Sequence, residues 1–340
     1  MNRHLFVLFV LAVSLFAIPG TTPAADAQEA IKLRIATLAP RGTPLVRAFE
    51  QWDRLLRRET DGKVGIRTYP GGAAGDEKVL VRKMRAGQLD GAALTVTGLG
   101  VIARPSLVLA APGVILDYEE IDLVRREMKD EFVQMFEDAG YVLLSWGDAG
   151  RTRMFSQKKI AQPRDLKSAR PWVWTDNPVM VHFMRVVGAN GVRLGVPEVY
   201  PGLQTGMIDT VVASAMTAIG LQWFTRLKYM SNETSGVLIG ALVLRKDKFE
   251  KLPKDAQAII RKTAEAGTRE LQKARRMDDQ AYRVLRKRGM KVVDTDPHRK
   301  KWEQAFRKTT RSLAGRLYSK NLLERVMSIV AKVRRDDPIR

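Results

Sequence analysis

A repeated alternation of strand-like and helix-like segments is the feature that most constrains the fold of this chain. Residues Ile31 to Ala36 alternate apolar and polar side chains, which predicts a strand. From Pro44 to Arg58 apolar side chains recur with a helical period, and Val64 to Tyr69 predicts a second strand. This β-α-β order is the unit of a parallel sheet with crossover helices, so the sequence predicts an α/β fold.

The same alternation continues along the chain. Further predicted helices are Asp76–Ala86, Glu119–Asp138, Pro178–Val187, Pro197–Gly206 and one or two helices within Pro253–Arg288. Further predicted strands are a segment ending at Val96, Tyr141–Trp146, Arg170–Trp174, Gly191–Leu194, Ile208–Ala213 and Ala241–Lys246. Because 340 residues can bury more than one core, two domains are predicted.

The charge is unevenly distributed. The chain has 58 Lys and Arg against 37 Asp and Glu, a formal net charge of +21. Residues Arg245 to Arg340 hold 29 of the basic and 13 of the acidic residues. Apolar stripes within Leu271–Val284, Trp302–Leu317 and Leu323–Val333 predict helices whose Lys and Arg face water. Two interpretations stay open for this part: a solvated basic surface, or a docking surface for an anionic membrane or an acidic partner.

The N-terminus predicts export. Basic Arg3 precedes an apolar run from Leu5 to Ile18, and Ala25–Ala27 fits a small-x-small cleavage site. Residues 1–27 are therefore expected to be a signal peptide cleaved near Ala27, which leaves an exported protein. A permanent anchor is the alternative, but the run is shorter than the roughly 20 residues that a spanning helix needs. Export also argues against nucleic acid as a partner.

Several kinds of chemistry lack the residues that they need. The chain has no cysteine and three histidines, so neither a metal site nor a catalytic residue is predicted. The glycine-rich segment Gly71–Gly75 lacks the Gly-Lys-Ser/Thr ending of a phosphate-binding loop. No enzyme activity and no cofactor are expected.

A series of short motifs, in order, carries a family resemblance. The motifs are Leu33–Ala39, Thr60–Lys63, Gly75–Glu77, Ala86–Asp90, Ser156–Ile160, Pro163–Lys167, Pro197–Asp209 and Lys251–Asp255. The most telling is Pro197–Asp209, since its P-E-V-Y-P-G-L-Q-T-G-M-I-D resembles a family pattern E-V-Y-x-A-L-Q-T-G-x-x-D. From about Ile31 to Gly289 the chain resembles the DctP-type extracytoplasmic solute receptors of TRAP transporters.

The resemblance implies a two-domain periplasmic binding protein that closes like a flytrap on one small solute, usually an organic acid. It would be a monomer that delivers the solute to integral-membrane TRAP permease subunits. The expected division is residues 31–150 plus about 235–265 for domain I, 151–234 for domain II, and 266–340 for a long helix and C-terminal helices across both. The alternative is a basic periplasmic protein that binds lipid or polyanion through its C-terminal helices.

One departure from the family pattern changes the expected ligand. Many members carry an Arg, two positions after a Lys, that clamps the ligand carboxylate. In this chain Arg170 falls on the Lys position and Trp172 on the Arg position. Arg151 and Arg153 lie near a second family Arg but do not align with it without a shift. The resemblance therefore implies a cleft that is more aromatic and apolar than a dicarboxylate site, for an organic acid or an aromatic or apolar compound.

The expected ligand-binding residues are Leu38, Thr95, Thr97, Arg153, Trp172, Trp174, Ala213 and Trp223. Trp172 and Trp174 alternate on a predicted strand, so both rings face the same side and could form a stacking wall. A purely structural role in the core stays open for both, and for Trp223. Arg153 is the candidate anion partner. Asp176 is expected to cap a helix rather than meet a ligand, and His182 to be a packed core residue.

Overall fold

A computed structural model describes residues 30–265 and 267–336 as an eight-stranded sheet and a separate two-stranded sheet flanked by helices; the expected signal peptide lies outside the described residues. The strands are β1 Ile31–Thr37, β2 Val64–Tyr69, β3 Gly91–Thr95, β4 Tyr141–Ser156, β5 Trp172–Trp174, β6 Val192–Leu194, β7 Thr210–Ser214, β8 Tyr229–Ser231, β9 Gly236–Arg245 and β10 Lys291–Val293. The predicted α/β class is confirmed.

The helices are α1 Pro44–Glu59, α2 Glu77–Arg85, α3 Val96–Ile102, α4 Tyr118–Glu127, α5 Lys129–Asp138, α6 Pro178–Val187, α7 Val196–Gln204, α8 Ala215–Gly220, α9 Lys246–Glu250, α10 Lys254–Glu265, α11 Gly267–Lys287, α12 Arg299–Leu313 and α13 Lys320–Asp336. Most of these helices lie in predicted helical segments, while α3, α8 and α9 were not predicted. Short 3-10 helices are Arg104–Ala110, Pro163–Ser168, Trp223–Arg226 and Asp296–His298. The predicted helix Glu119–Asp138 is in fact two helices, which meet at Met128.

The strand pairing forms two lobes. In lobe I, β1 pairs in parallel with β2 and β3, and β3 pairs antiparallel with β9. In lobe II, the C-terminal part of β4 pairs antiparallel with β7 and β8, while β8 pairs with β10 and β5 pairs with β6. Each lobe has its own buried apolar clusters, and those of lobe I include side chains of β4 and β9.

Strands β4 and β9 connect the lobes. β4 pairs with β9 from Tyr141 to Thr152 and then with β7 from Thr152 to Ser156. The β4–β9 register is irregular between Asp148 and Arg151, where the chain passes from one lobe to the other. Irregular pairing at this point bends the strand and lets the two halves of the sheet diverge.

Helix α11 also lies at the crossing between the lobes, where it packs on β4 and α8. Its buried side chains include Arg275 and Asp278, which are 8% and 3% exposed. The predicted stripe within Leu271–Val284 is therefore wrong in part, because Val284 is 39% exposed while two charged residues are buried; the side chain of Leu271 lies outside the described residues. In the described residues, no helix is both long enough and apolar enough to cross a membrane.

Candidate functional site

A cavity of about 790 Å³ lies between the two lobes. Lobe I contributes the ends of β1 and β3 with the turns that follow them, and lobe II contributes β5, β7, α6 and α8. The connecting strands β4 and β9 line it as well. Because its walls belong to both lobes, a molecule in this cavity would contact both and favour their closed arrangement.

An aromatic cluster forms the lobe II wall. Trp172 stacks on Trp174 with ring centroids 5.8 Å apart, and Trp223 meets Trp172 edge-on at 5.3 Å. The two strand residues share a face because side chains alternate along β5, as predicted. All three residues are buried in the lobe II core, with 2–7% of their surface exposed, and all three are among the residues that line the cavity.

Thr95 and Glu77 form a polar part of the lobe I wall. Thr95 ends β3 and its hydroxyl accepts a hydrogen bond from the amide of Thr97, which lies in the first turn of α3 rather than on the predicted strand end. The Glu77 carboxyl is fully enclosed and accepts hydrogen bonds from the Thr95 amide and hydroxyl and from the Gly98 amide. Burial raises the pKa of Glu77 to about 8 against the opposing effect of these donors.

Two further predicted residues, Leu38 and Ala213, lie on opposite walls. Leu38 follows β1 in the turn that leads to α1, and Ala213 lies on β7 opposite Arg153 of β4. Both line the cavity. Seven of the eight predicted ligand-binding residues are thus brought together around one cavity.

Arg153 is the exception, because it is not among the described residues that line the cavity. Its guanidinium donates to the carbonyl oxygens of Ser231 and Asn232 and lies 4.2 Å from the centre of the Tyr282 ring. Burial lowers its pKa. The two hydrogen bonds to the lobe II backbone both come from Nη1, and the expectation that Arg153 holds a ligand anion stays a prediction.

Direct contacts join the lobes at the edge of the cavity, and we call them the rim contacts. The Trp174 indole N–H donates to Asp76 at 2.8 Å, and the Val196 amide donates to the same carboxylate at 3.3 Å. Lys78 pairs with Asp176 at 2.8 Å, and the Asn177 amide donates to Thr97 at 3.0 Å. These contacts can form only when the lobes are together, so the structure represents a closed arrangement.

The rim contacts correct two predictions about lobe II. Asn177, not Asp176, caps α6, since its side-chain oxygen accepts from the Met180 amide while Asp176 meets Lys78. His182 is half-buried rather than a core residue, and its Nε2 lies against the hydroxyl of Ser312. Asp76 itself could be recognised as a helix cap from the sequence, but no sequence signal pointed to its partner 98 residues away.

A buried ion network lies behind the cavity wall at the crossing between the lobes. Asp148 accepts from Arg125 at 2.7 Å and from Arg275 at 2.6 Å, and Arg275 also donates to Asp122 at 2.6 Å. On the same helix, Asp278 accepts from the amides of Arg151 and Met216. A side chain at position 150 would collide with Asp278, which explains the glycine there. Helix α11 is thereby tied to β4 and to lobe II.

No group of side chains in the described residues could hold a metal ion. The protein has two lobes joined by two strands, with a ligand-sized cavity between them. This is the arrangement of a solute receptor. The family model described as bacterial extracellular solute-binding protein, family 7 (DctP), matches residues 35–316. The chain belongs to this family, and the resemblance inferred from its motifs is confirmed.

Individual relatives are distant in sequence and close in fold. A solute-binding protein of Albidiferax ferrireducens is 27% identical over 82% of this chain and 85% of its own length. The 2,3-diketo-L-gulonate-binding periplasmic protein of Escherichia coli is 23% identical over 78% of this chain and 81% of its own. The crystal structure of a Bordetella pertussis extracytoplasmic solute receptor binding pyroglutamic acid has a TM-score of 0.81 at 18% identity, covering 89% of this chain and 100% of that one.

Proposed function

We propose that this protein is a periplasmic receptor that captures one small organic solute in the interlobe cavity and delivers it to a TRAP-type permease. The observation that carries the proposal is the cavity itself, because its walls are divided between two lobes that touch at the rim contacts. A solute that contacts both walls stabilises the closed form, and a permease can recognise that form.

The ligand class is extended from relatives. The proteins of E. coli and B. pertussis are described as binding 2,3-diketo-L-gulonate and pyroglutamic acid, which are organic acids. We infer a small organic solute for this chain. The residues proposed to contact it are Leu38, Thr95, Thr97, Trp172, Trp174, Ala213 and Trp223, since all of them line the cavity.

The motion is proposed to be a hinge at the crossing strands. Domain I would then comprise residues 31–150 plus about 235–265, and domain II residues 151–234, with α11 and the C-terminal helices packed across both. Support comes from the irregular β4–β9 pairing between Asp148 and Arg151, which lies at this boundary. The receptor is proposed to act as a monomer and to carry out no chemical step, as binding and release suffice for delivery.

Export with cleavage near Ala27 is also a proposal. Mass spectrometry of the protein recovered from a periplasmic extract would then give Gln28 as the first residue. Recovery of a chain that keeps Met1 and Leu5–Ile18 would contradict it and favour a permanent anchor.

The experiment that tests the receptor proposal is a thermal-shift screen of the mature protein against small acids, aromatic acids, amino acids and amines, followed by calorimetry. A bound solute raises Tm because it binds the folded state alone. We expect at least one solute to raise Tm with one site per chain, and to be taken up by vesicles that hold the permease subunits only when the receptor is present. Uptake that is independent of the receptor would contradict the proposal.

A further inference from the structure

Tryptophan is concentrated at the cavity to an unusual degree. The chain contains six tryptophans, and all six line this one cavity: Trp52, Trp146, Trp172, Trp174, Trp223 and Trp302. Phe49, Phe183 and Phe306 add three more rings. Large aromatic side chains offer broad apolar faces that stack on rings or pack against chains.

Four of these six indoles can offer a ligand apolar surface rather than an N–H donor. Four of the six N–H groups already donate within the protein: Trp52 to Thr263, Trp172 to Leu194, Trp174 to Asp76 and Trp302 to Ala161. A buried indole whose N–H is satisfied leaves only its ring faces and edges for a ligand. A cavity wall made of such rings favours an apolar or aromatic ligand over a small polar anion.

Positive charge is scarce at the same wall. Among the described lining residues the one basic side chain is Lys273, which is exposed, and none is an arginine. Arg153 donates to backbone carbonyls, and Arg151 lies 4.6 Å from the Tyr118 ring centre with Asp279 at 3.3 Å. A guanidinium fork is the usual partner of a carboxylate, and neither of these two arginines is among the described residues that line the cavity.

The two acidic residues among the described lining, Glu77 and Asp148, do not favour a cationic ligand. The Asp148 carboxylate is shared between Arg125 and Arg275 and has no exposed side-chain surface. Glu77 is enclosed and hydrogen-bonded to Thr95 and Gly98, and burial raises its pKa to about 8. The cavity therefore presents little net charge of either sign in the neutral range.

The size of the cavity agrees with a bulky occupant. Its volume of about 790 Å³ lies in the upper part of the range of roughly 300–1,000 Å³ that drug-sized ligands occupy. A short dicarboxylate would leave much of this apolar surface without contacts. A ring system or an acyl chain would cover it.

From these observations we propose that the receptor recognises its solute by a bulky, uncharged aromatic or apolar body, and that a carboxylate is not required for binding. This inference rests on the proposed receptor function and specifies the ligand of that same cavity. The tryptophan cluster around Trp172 supplies the recognition surface, and Thr95 and Thr97 are among the polar residues that line the same cavity.

The test compares acids with amides of the same shape by calorimetry on the mature protein. The probes are 2-naphthoate with 2-naphthamide, indole-3-acetate with indole-3-acetamide, and succinate. We expect each amide to bind within about threefold of its acid, and succinate not to bind. An acid that binds about tenfold more tightly than its amide, a difference of roughly 1.4 kcal/mol, would overturn the inference, and so would binding of succinate.

Failure of the inference is distinguishable from failure of the receptor proposal. If neither pair binds while the thermal-shift screen finds another solute, the inference is wrong and the receptor proposal stands. If the screen also finds no solute, both are wrong.

Two variants locate the recognition. Trp172→Phe keeps a ring but loses indole surface, and we expect it to weaken amide and acid equally, by about tenfold. Lys273 is the one basic residue among the described lining residues, and it is exposed. In Lys273→Met we expect the ratio of acid affinity to amide affinity to stay unchanged. A selective loss of acid binding in Lys273→Met would show that a carboxylate is held there and would contradict the inference. Circular dichroism checks that both variants fold.

Discussion

The cavity and the outer surface of the C-terminal helices have opposite compositions. The cavity is lined by six tryptophans and, among the described residues, by a single basic side chain. The segment Arg245 to Arg340 carries 29 basic residues. On helices α12 and α13, every described Lys and Arg side chain is exposed to solvent. The net charge of +21 is thus a property of the exterior and says little about the solute.

The comparison also separates two kinds of charge. On the surface, Arg325 pairs with Glu131 and Lys332 with Glu127, and such exposed pairs contribute about 0–1 kcal/mol. At the crossing between the lobes, the buried Arg275 pairs with the enclosed Asp148 and with the half-exposed Asp122. A buried pair is costly to break, because the remaining charge loses its partner. Few of the many charges are therefore expected to matter for stability.

The largest effect is expected from Arg275→Leu. The substitution leaves Asp148 enclosed with Arg125 as its remaining cation and removes the hydrogen bonds that Arg275 donated, so we expect a loss of about 1–3 kcal/mol in the free energy of unfolding. Urea unfolding measures it, with Lys332→Gln as the control, expected to lose less than about 1 kcal/mol. Equal losses in the two variants would remove the distinction between buried and surface charge.

The rim contacts provide the next test. Asp76→Asn keeps a good cap for α2 but places an amide where Trp174 and Val196 donate. The closed form loses charge-assisted hydrogen bonds, so we expect solute affinity to fall about tenfold or more, as measured by calorimetry. Lys78→Met, which removes an exposed pair, is expected to change affinity about twofold. Unchanged affinity in Asp76→Asn would mean that the rim contacts do not stabilise the bound state.

Glu77 provides a test by pH. Its carboxyl stays protonated in the folded protein up to about pH 8, whereas the unfolded chain releases that proton near the ordinary value of 4.5. Between pH 4.5 and about pH 8 the folded state therefore binds more protons than the unfolded state. The stabilisation that this carboxyl contributes falls as the pH rises through that range. We expect the free energy of unfolding to fall less in Glu77→Gln than in wild type when the pH rises from about 5 to about 8. A parallel pH dependence in both proteins would show that the carboxyl is ionised throughout.

The smallest effect is expected on the basic surface. Lys300, Lys308 and Arg311 are exposed on α12, and replacing all three with Gln lowers the positive charge without touching the cavity lining. We expect solute affinity to change less than about twofold. A tenfold loss would mean that the exterior takes part in solute capture. It would also favour the alternative of a basic protein that acts through its C-terminal helices, which no comparison with known proteins supports.

Local patterns predicted local structure well. The bounds of α6 were predicted to the residue, because proline at its start and glycine after its end leave little choice. The shared face of Trp172 and Trp174 followed from strand alternation alone. The family motifs supplied the two-lobed arrangement, which periodicity could not have given.

Contacts between distant segments were not predictable in the same way. The buried side of α11 carries Arg275 and Asp278 because their partners lie 127 residues earlier on β4, and a helical wheel treats both as surface residues. The position of Arg153 depended on Ser231, Asn232 and Tyr282, none of which is near it in sequence. Gathering all six tryptophans at one cavity is likewise a consequence of tertiary folding.

The central claim is that a solute binds between the lobes against the tryptophan cluster. The most direct measurement is a crystal structure of the mature protein with the tightest-binding compound from the thermal-shift screen. We expect the compound in the interlobe cavity with atoms within about 4 Å of Trp172 or Trp174, and with no arginine on it. A compound bound outside this cavity, or a carboxylate clamped by a guanidinium, would contradict the account.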